Sequence, residues 1–336
     1  MSIEPIETLL EECPDIADSI DILIAGISFE ERCTALCTYL KSQGRIKRVY
    51  LYRNIDVSVY SNQDENEQCY LSISKNLSII LDHLKNKKIE YRLFESMHRD
   101  LDEKMKAIDS LMSDLRNVIQ EEENIMRIAI DTTCFTRIDL LIILDHLYDL
   151  FPNSIIKIIY IRPKDHANDW LTRGYSGIES ILGFAGSYDY LKKTLLVILS
   201  GFEEERPRNF IDEYEADCVF FGTSEKNPTK DQFGKRAQQV QRQFLCFDSI
   251  SSFNFSANSI HQCFEDLETT LSPYLSNCNI VIAPLCTKLS VVAAFLMAKK
   301  YPHIQLAYCF PKEYNWRNYS SGMDEIYIQD IERVEK

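Results

Sequence analysis

Two short segments of the chain set acidic and basic side chains close together. Phe29-Glu30-Glu31-Arg32 follows an apolar run at 22–25 by way of Gly26, and Phe202-Glu203-Glu204-Glu205-Arg206 follows another at 195–199 by way of Gly201. Three chemistries suit such a segment. The Phe can anchor the loop while Glu and Arg pair within the first helical turn, which is structural. Alternatively, a Glu hydrogen-bonds a ribose or base and the Arg holds a phosphate in bidentate fashion. In the third reading Glu30 or Glu31 is a general base or metal ligand, with Asp131 nearby across a sheet edge. The position matching Asp131 in the second half is Ala283. Catalysis by Glu30, Glu31 and Asp131, with Mg²⁺ as a possible cofactor, would therefore belong to the first half alone. Loops that merely bind could contribute from both halves.

A second pair of segments follows later apolar runs. Residues 128–130 lead to Asp131-Thr132-Thr133-Cys134-Phe135-Thr136-Arg137, and residues 280–282 lead to Ala283-Pro284-Leu285-Cys286-Thr287-Lys288. The plain reading is an N-capping Thr with an incidental cation. The functional reading makes Thr133, Thr136, Arg137, Thr287 and Lys288 ligand contacts, together with Phe29, Arg32, Phe202, Glu203 and Arg206. Cys134 stands beside a helix start and Arg137, a setting that can lower a thiol pKa. No histidine lies within sequence reach to activate it.

These motifs belong to a larger repetition. In both halves an apolar run, the Phe-Glu-Glu segment, a later apolar run, a Thr-cation pair and a further apolar stretch recur in order. Each half then closes with Pro-Lys, a Trp and a Tyr-Ser-(Ser)-Gly, so that Tyr175-Ser176-Gly177 answers Tyr319-Ser320-Ser321-Gly322. The offset between copies falls from 174 at Arg32/Arg206 to 151 at Arg137/Lys288, 148 at Lys164/Lys312 and 146 at Trp170/Trp316. A steady decline is the mark of two diverged copies, the second shorter. The polar insert 56–68 of the first copy has no counterpart in the second.

Each copy alternates strand and helix. The pattern predicts strands at 21–25, 48–52, 89–94, 126–130 and 155–161, with helices at 30–43, 68–86, 100–121 and 137–150. In the second copy it predicts strands at 194–199, 217–221, 243–247, 279–283 and 304–310, with helices at 231–240, 258–276 and 288–300. The alternating apolar residues of 324–336 fit a closing strand or a short helix. Runs such as 155–161 are continuously apolar and β-branched, as strands covered on both faces are. Strand–helix alternation gives a parallel sheet with right-handed crossovers. The fold class is thus α/β: two tandem Rossmann-like units with mainly parallel sheets from an internal duplication, spanning 1–190 and 191–336 and joined near 183–193.

In such sheets ligands bind beyond the carboxyl ends of the strands, where the repeated motifs fall. Arg53, Arg162, Lys164, Arg173, Arg208, Lys312 and Arg317 are expected there too. That edge suits an anionic, phosphate-bearing ligand. There is no GxGxxG and no GxxxxGK[ST], which argues against a dinucleotide or P-loop site of the usual kind. Trp170, Tyr175, Trp316 and Tyr319 stand near Arg173 and Arg317, where they either stack bases or pack between domains.

Strand–Asp-x-Thr-x-x-Thr-Lys/Arg–apolar helix resembles the fourth-strand motif of CARF domains, Rossmann-like sensors of cyclic oligoadenylates in prokaryotic immunity. Asp131, Thr133, Thr136 and Arg137 match, as do Thr287 and Lys288. The usual Gly-Gly is replaced by Cys134-Phe135 and by Leu285-Cys286. Two such units in one chain also resemble the SAVED domain of cyclic-nucleotide-activated antiphage systems. The resemblance implies a nucleotide or cyclic-oligonucleotide sensor in antiviral defence or stress, acting through a protein partner or a homo-oligomer. A phosphodiesterase or nucleotide hydrolase and a scaffold subunit of a defence complex are the alternatives.

Composition bounds these readings. The 336 residues carry 37 Lys+Arg against 51 Asp+Glu, a net charge of −14. So acidic a chain does not suit strong non-specific nucleic-acid binding, which needs clustered Lys and Arg. No apolar run reaches the roughly 18 residues of a membrane span, and no secretory signal opens the sequence. Eleven cysteines without a CxxC, and six scattered histidines, favour a reduced cytoplasmic protein with no zinc site.

Overall fold

A computed structural model describes residues 6–55, 63–97, 100–120, 125–166, 170–224, 232–246 and 249–335. The chain divides into two compact units. The first takes residues 1–171 and 314–332, and the second takes 172–313 and 333–336. In chain order the first unit runs β1 (Ile6–Leu9), β2 (Ile22–Ile27), α1 (Leu36–Tyr39), β3 (Arg48–Asn54), α2 (Gln63–Asn86) and β4 (Tyr91–Ser96). It continues α3 (Leu101–Gln120), β5 (Arg127–Asp131), α4 (Arg137–Leu150), β6 (Ile155–Ile161) and β7 (Asp165–His166). The second unit runs β8 (Thr172–Ser180), β9 (Lys193–Ser200), α5 (Glu205–Tyr214), β10 (Cys218–Ser224), α6 (Gln232–Phe244) and β11 (Ile250–Phe255). It ends with α7 (Ile260–Leu271), β12 (Cys278–Pro284), α8 (Lys288–Lys300) and β13 (Gln305–Tyr314). The chain then returns to the first unit for β14 (Ser320–Ser321) and β15 (Glu325–Ile331).

The first sheet has the order β4-β3-β2-β5-β6-β15-β1 and the second β11-β10-β9-β12-β13-β8. The central strands pair in parallel in both. Each sheet thus shows third-second-first-fourth-fifth among its parallel strands, as a duplication predicts. The crevice where that order reverses lies between β2 and β5 in one unit and between β9 and β12 in the other.

All six residues of β2 are buried, and so are Leu195–Ser200 of β9. Strands with both faces covered explain the absence of apolar–polar alternation there. Helix α8 is buried continuously from Leu289 to Ala298 and so shows no amphipathic stripe. Thr136 caps α4 by accepting from the Asp139 N–H at 3.1 Å, and Thr287 caps α8 by accepting from the Ser290 N–H at 3.3 Å. The repeated Thr-cation motif is therefore the same device built twice.

Several expectations need correction. The helix expected over 30–43 is a 3₁₀ turn at Glu31–Ala35 followed by the single turn α1. Thr34 donates its hydroxyl to the Glu31 carbonyl at 2.7 Å, and Asn76 of α2 donates to the carbonyls of Ser28, Phe29 and Glu30. Those side-chain bonds hold the segment in a compact loop. Helix α5 was not among the predicted helices; Pro207, its third residue, lacks an N–H where none is needed. Residues 243–246 of the strand expected at 243–247 are not extended, since α6 continues to Phe244, whose ring stacks on Phe221 at 4.9 Å, and 247 lies outside the described residues. The third strand of that unit is β11. Residues 56–62 of the polar insert lie outside the described residues, and 63–68 begin α2. The boundary at 190/191 falls inside the second unit, since β8 joins the second sheet and β15 joins the first.

Candidate functional site

In the first unit the loop after β2 turns its polar groups inward. Arg32 is only 3 % exposed. Its Nε donates to Glu30 Oε2 at 3.1 Å and its Nη1 to the Ile161 carbonyl at 2.8 Å. Glu30 Oε2 also accepts from the Ser320 hydroxyl at 2.6 Å, and Glu31 Oε1 accepts from the Gly322 N–H at 2.8 Å. Phe29 lies edge-on to Tyr319, ring centroids 5.9 Å apart. The acidic segment after the first strand thus meets the Tyr-Ser-Ser-Gly segment before β15.

The second unit repeats the arrangement. Arg206, 2 % exposed, donates from Nη2 to Glu203 Oε2 at 2.6 Å and from Nε to the Thr172 hydroxyl at 3.1 Å. Glu203 Oε1 accepts from the Thr172 N–H at 2.9 Å and from its hydroxyl at 2.6 Å. Glu205 accepts from the Gly174 N–H at 3.1 Å. The Arg236 guanidinium lies over the Phe202 ring, 4.3 Å from its centroid.

At the fourth-strand turn of the first unit, Asp131 is buried. Its Oδ2 accepts from Tyr39 Oη at 2.6 Å and its Oδ1 from the Thr133 N–H at 3.0 Å. Thr133 in turn accepts from the Ile161 N–H at 3.0 Å, so the turn is stitched to β6. Phe135 stands where the CARF pattern has Gly, and a Cβ on Gly26 would come within 2.8 Å of its backbone nitrogen. The end of β2 and the turn after β5 are therefore in close backbone contact at the switch point. Arg137 and Lys288, both half-buried, open α4 and α8. The Thr287 hydroxyl donates to the Ala257 carbonyl at 2.5 Å.

Burial pushes the Asp131 carboxyl above the usual aspartate range, against the pull of Thr133, Tyr39 and Arg32. A raised acid pKa in the folded state means ionised Asp131 weakens the fold at neutral pH, and the penalty lifts as pH falls. Asp131→Asn preserves both contacts, with the Tyr39 hydroxyl rotating to accept. We expect its stability at pH 7 to stay within about 1 kcal/mol of the parent or to exceed it, as read by tryptophan-fluorescence melts. A fall of several kcal/mol would show that the charge itself holds the turn. Cys134 is likewise held protonated, by burial first and by its bond to Cys33, which removes the condition a nucleophilic thiolate needs.

A buried network was not foreseen. Asp139 accepts from Lys104 Nζ at 2.5 Å, from Asn54 Nδ2 at 2.9 Å and from the Thr136 hydroxyl at 2.6 Å. Ser96 and Lys104 both donate to Asn54 Oδ1. Thr136-x-x-Asp139 at a helix start was the available signal, a capping-box spacing with Asp as the acid. In α8 the equivalent residue is Ser290, so only the first unit carries the ion pair.

Much of the expected basic edge is matched by acid. Arg53 pairs with Glu95, Arg162 with Glu325, Arg173 with Glu313, Arg208 with Glu204 and Arg317 with Glu65. Among the described residues no group of three or more His, Cys, Asp or Glu is placed to hold a metal ion, and no helix is long and apolar enough to cross a membrane. All eleven cysteines are free thiols.

No protein-family model matches this sequence, and no curated protein does. Among solved structures, Can2 from Sulfobacillus thermosulfidooxidans in complex with cyclic tetra-adenylate matches with a TM-score of 0.26 at 15 % identity, over 44 % of this chain and 34 % of that one. This chain thus spans about a third of that protein's length. The cytoplasmic domain of a prokaryotic cation chloride cotransporter matches with a TM-score of 0.24 at 6 % identity, over 89 % of this chain and 98 % of that one.

Proposed function

We propose that this chain binds an anionic, nucleotide-type ligand of the cyclic-oligonucleotide class. It would serve as a sensor in prokaryotic defence or stress, signalling through a partner chain or by self-association. One observation carries the reading. In each unit a Thr-capped helix opens with a cation, Arg137 or Lys288, beside the crevice where the strand order reverses. A helix start offers unsatisfied N–H groups and the positive end of the dipole, so an added cation favours an anion there. The CARF-like spacing of Asp131, Thr133, Thr136 and Arg137 supports the same ligand class.

The geometry favours binding over hydrolysis. Glu30 is tied to Arg32 and Ser320, Glu31 to Gly322, and Asp131 to Tyr39 and Thr133. Arg32 and Arg206, also among the expected ligand contacts, face their own glutamates. The reading rests on the position of the two helix-opening cations, Arg137 and Lys288, at the starts of α4 and α8 beside the crevice.

The test is a thermal-shift panel of cyclic di- and oligonucleotides, linear oligoadenylates, NAD and mononucleotides, with and without Mg²⁺. A ligand at a hundredfold its Kd stabilises by about 2.7 kcal/mol, roughly 5–10 °C here. The expected result is a shift with one class that is lost in Arg137→Ala and Lys288→Ala, with no product detected by chromatography. Turnover would favour the hydrolase. No shift across the panel would overturn the sensor and leave the scaffold.

A further inference from the structure

The two acidic loops grip their partners by one pattern. In the first unit Glu30 accepts from the Ser320 hydroxyl and Glu31 from the Gly322 N–H. In the second, Glu203 accepts from the Thr172 hydroxyl and Glu205 from the Gly174 N–H. Each grip takes a hydroxyl residue and a glycine two positions on. Both glycines adopt the left-handed region, φ +69° at Gly174 and +65° at Gly322. Each lies against a lysine at the far end of the fifth strand of its unit: a Cβ at Gly174 would fall 3.0 Å from Lys312, within β13, and one at Gly322 would fall 3.1 Å from Lys164, just past β6.

These residues are equivalent in the repeat. Thr172 and Ser320, Gly174 and Gly322, and Lys164 and Lys312 are all separated by 148 positions. The structural counterpart of Ser320-Ser321-Gly322 is therefore Thr172-Arg173-Gly174, three residues before the Tyr-Ser-Gly that sequence similarity selects. The strand that follows is equivalent as well. β15 pairs with β6, and β8 lies beside β13.

The equivalence has a topological consequence. Thr172-x-Gly174 and β8 are the tail of the first copy, yet they belong to the unit built from the second. Ser320-x-Gly322 and β15 are the tail of the second copy, yet they belong to the unit built from the first. We infer that the two copies exchange their tails, so that each unit carries an interface for the latch and closing strand of a second copy of the same domain. The acidic segment after the first strand is the receptor of that interface, and its Arg is the buried counter-ion that orients the receiving Glu. The duplication joined two copies that already fitted one another in this way, and the linker between β8 and β9 is not what holds them. This inference is independent of any ligand.

The test uses the full chain with a protease site inserted between Tyr190 and Leu191, which are 83 % and 80 % exposed. After cleavage, fragments 1–190 and 191–336 are expected to co-elute at the mass of the intact protein and to part only in denaturant. Fragments that part under native conditions overturn the exchange. Hydrogen exchange then assigns each latch. A β-branched residue at positive φ is a strong outlier. Gly174→Val is therefore expected to speed amide exchange about tenfold at 202–210, and Gly322→Val to do so at 28–36. Loosening in the opposite loops, each variant disturbing its own copy, would sink the inference. If either variant fails to fold, the cleavage result on the otherwise unaltered chain still decides.

Discussion

An Asp139→Ala protein is expected to lose about 3–5 kcal/mol of stability, because it strands a buried ammonium. Asp139 is fully buried and Lys104 is 3 % exposed. Without the carboxylate, Lys104 keeps only the Asn54 carbonyl as an acceptor of those identified, and Asn54 and Thr136 each lose the acceptor they shared. Replacing both charges, Lys104→Met with Asp139→Leu, should cost less than the single change, since apolar pairs of similar volume often match a buried ion pair. The pH dependence follows from the direction of the shift. Burial pushes the Asp139 carboxyl up, but Lys104, Thr136 and Asn54 outweigh it and hold the group below the ordinary aspartate range. A depressed folded pKa stabilises fully above the unfolded value, and the contribution is lost as pH falls through the folded one. The parent should therefore lose stability in acid more steeply than the double variant. Both tryptophans, Trp170 and Trp316, lie in the first unit. Denaturant titrations followed by tryptophan fluorescence consequently report that unit alone. A loss below about 1 kcal/mol, or a double variant no better than Asp139→Ala, would contradict the account.

All the parallel strands but β11 were legible, because continuous apolar runs and the repeat marked them at matching places in both halves; β11, half polar in sequence and only partly buried, gave no such run. The order of strands in each sheet was not, since sequence periodicity says which face is buried and not which neighbour covers it. The helix starts at Thr136 and Thr287 could be read from cap chemistry alone. Asp139 could have been read too, but Lys104 could not: it lies 35 positions away on another helix. Nothing local distinguishes a lysine that enters a buried network from one on a solvated face. The acidic motifs were found and left between three chemistries. What decides among them is the identity of the donors, Ser320 and Gly322 in one unit and Thr172 and Gly174 in the other. Those donors stand 290 and 31 positions from the first glutamate and the second. A chain order in which each tail crosses to the other copy's sheet leaves no periodic signature, and for that reason the boundary at 190/191 looked natural.

Arg32→Met should separate a structural guanidinium from a ligand-binding one. The residue lies inside the first unit with its Nη1 on the Ile161 carbonyl at the end of β6, and Glu30 on its other edge is only 9 % exposed. Removing the cation strands a nearly buried carboxylate that then keeps Ser320 alone of these two donors. The expected loss is about 3–5 kcal/mol, with or without ligand present. Lysine is no remedy, because a single ammonium does not reproduce the fork that reaches both Glu30 and the carbonyl. Arg206→Met is the matching change in the second unit, with a smaller loss because Glu203 keeps both contacts from Thr172 and is more exposed. The two variants should also be distinguishable by probe. Arg32→Met lowers the tryptophan-fluorescence transition, whereas Arg206→Met leaves that transition in place and moves the one seen by far-ultraviolet circular dichroism. If Arg32 instead holds a ligand phosphate, Arg32→Met would melt with the parent and fail only in the binding panel. That outcome would return the first acidic segment to the ligand site, and it would remove the basis for reading the second as a latch.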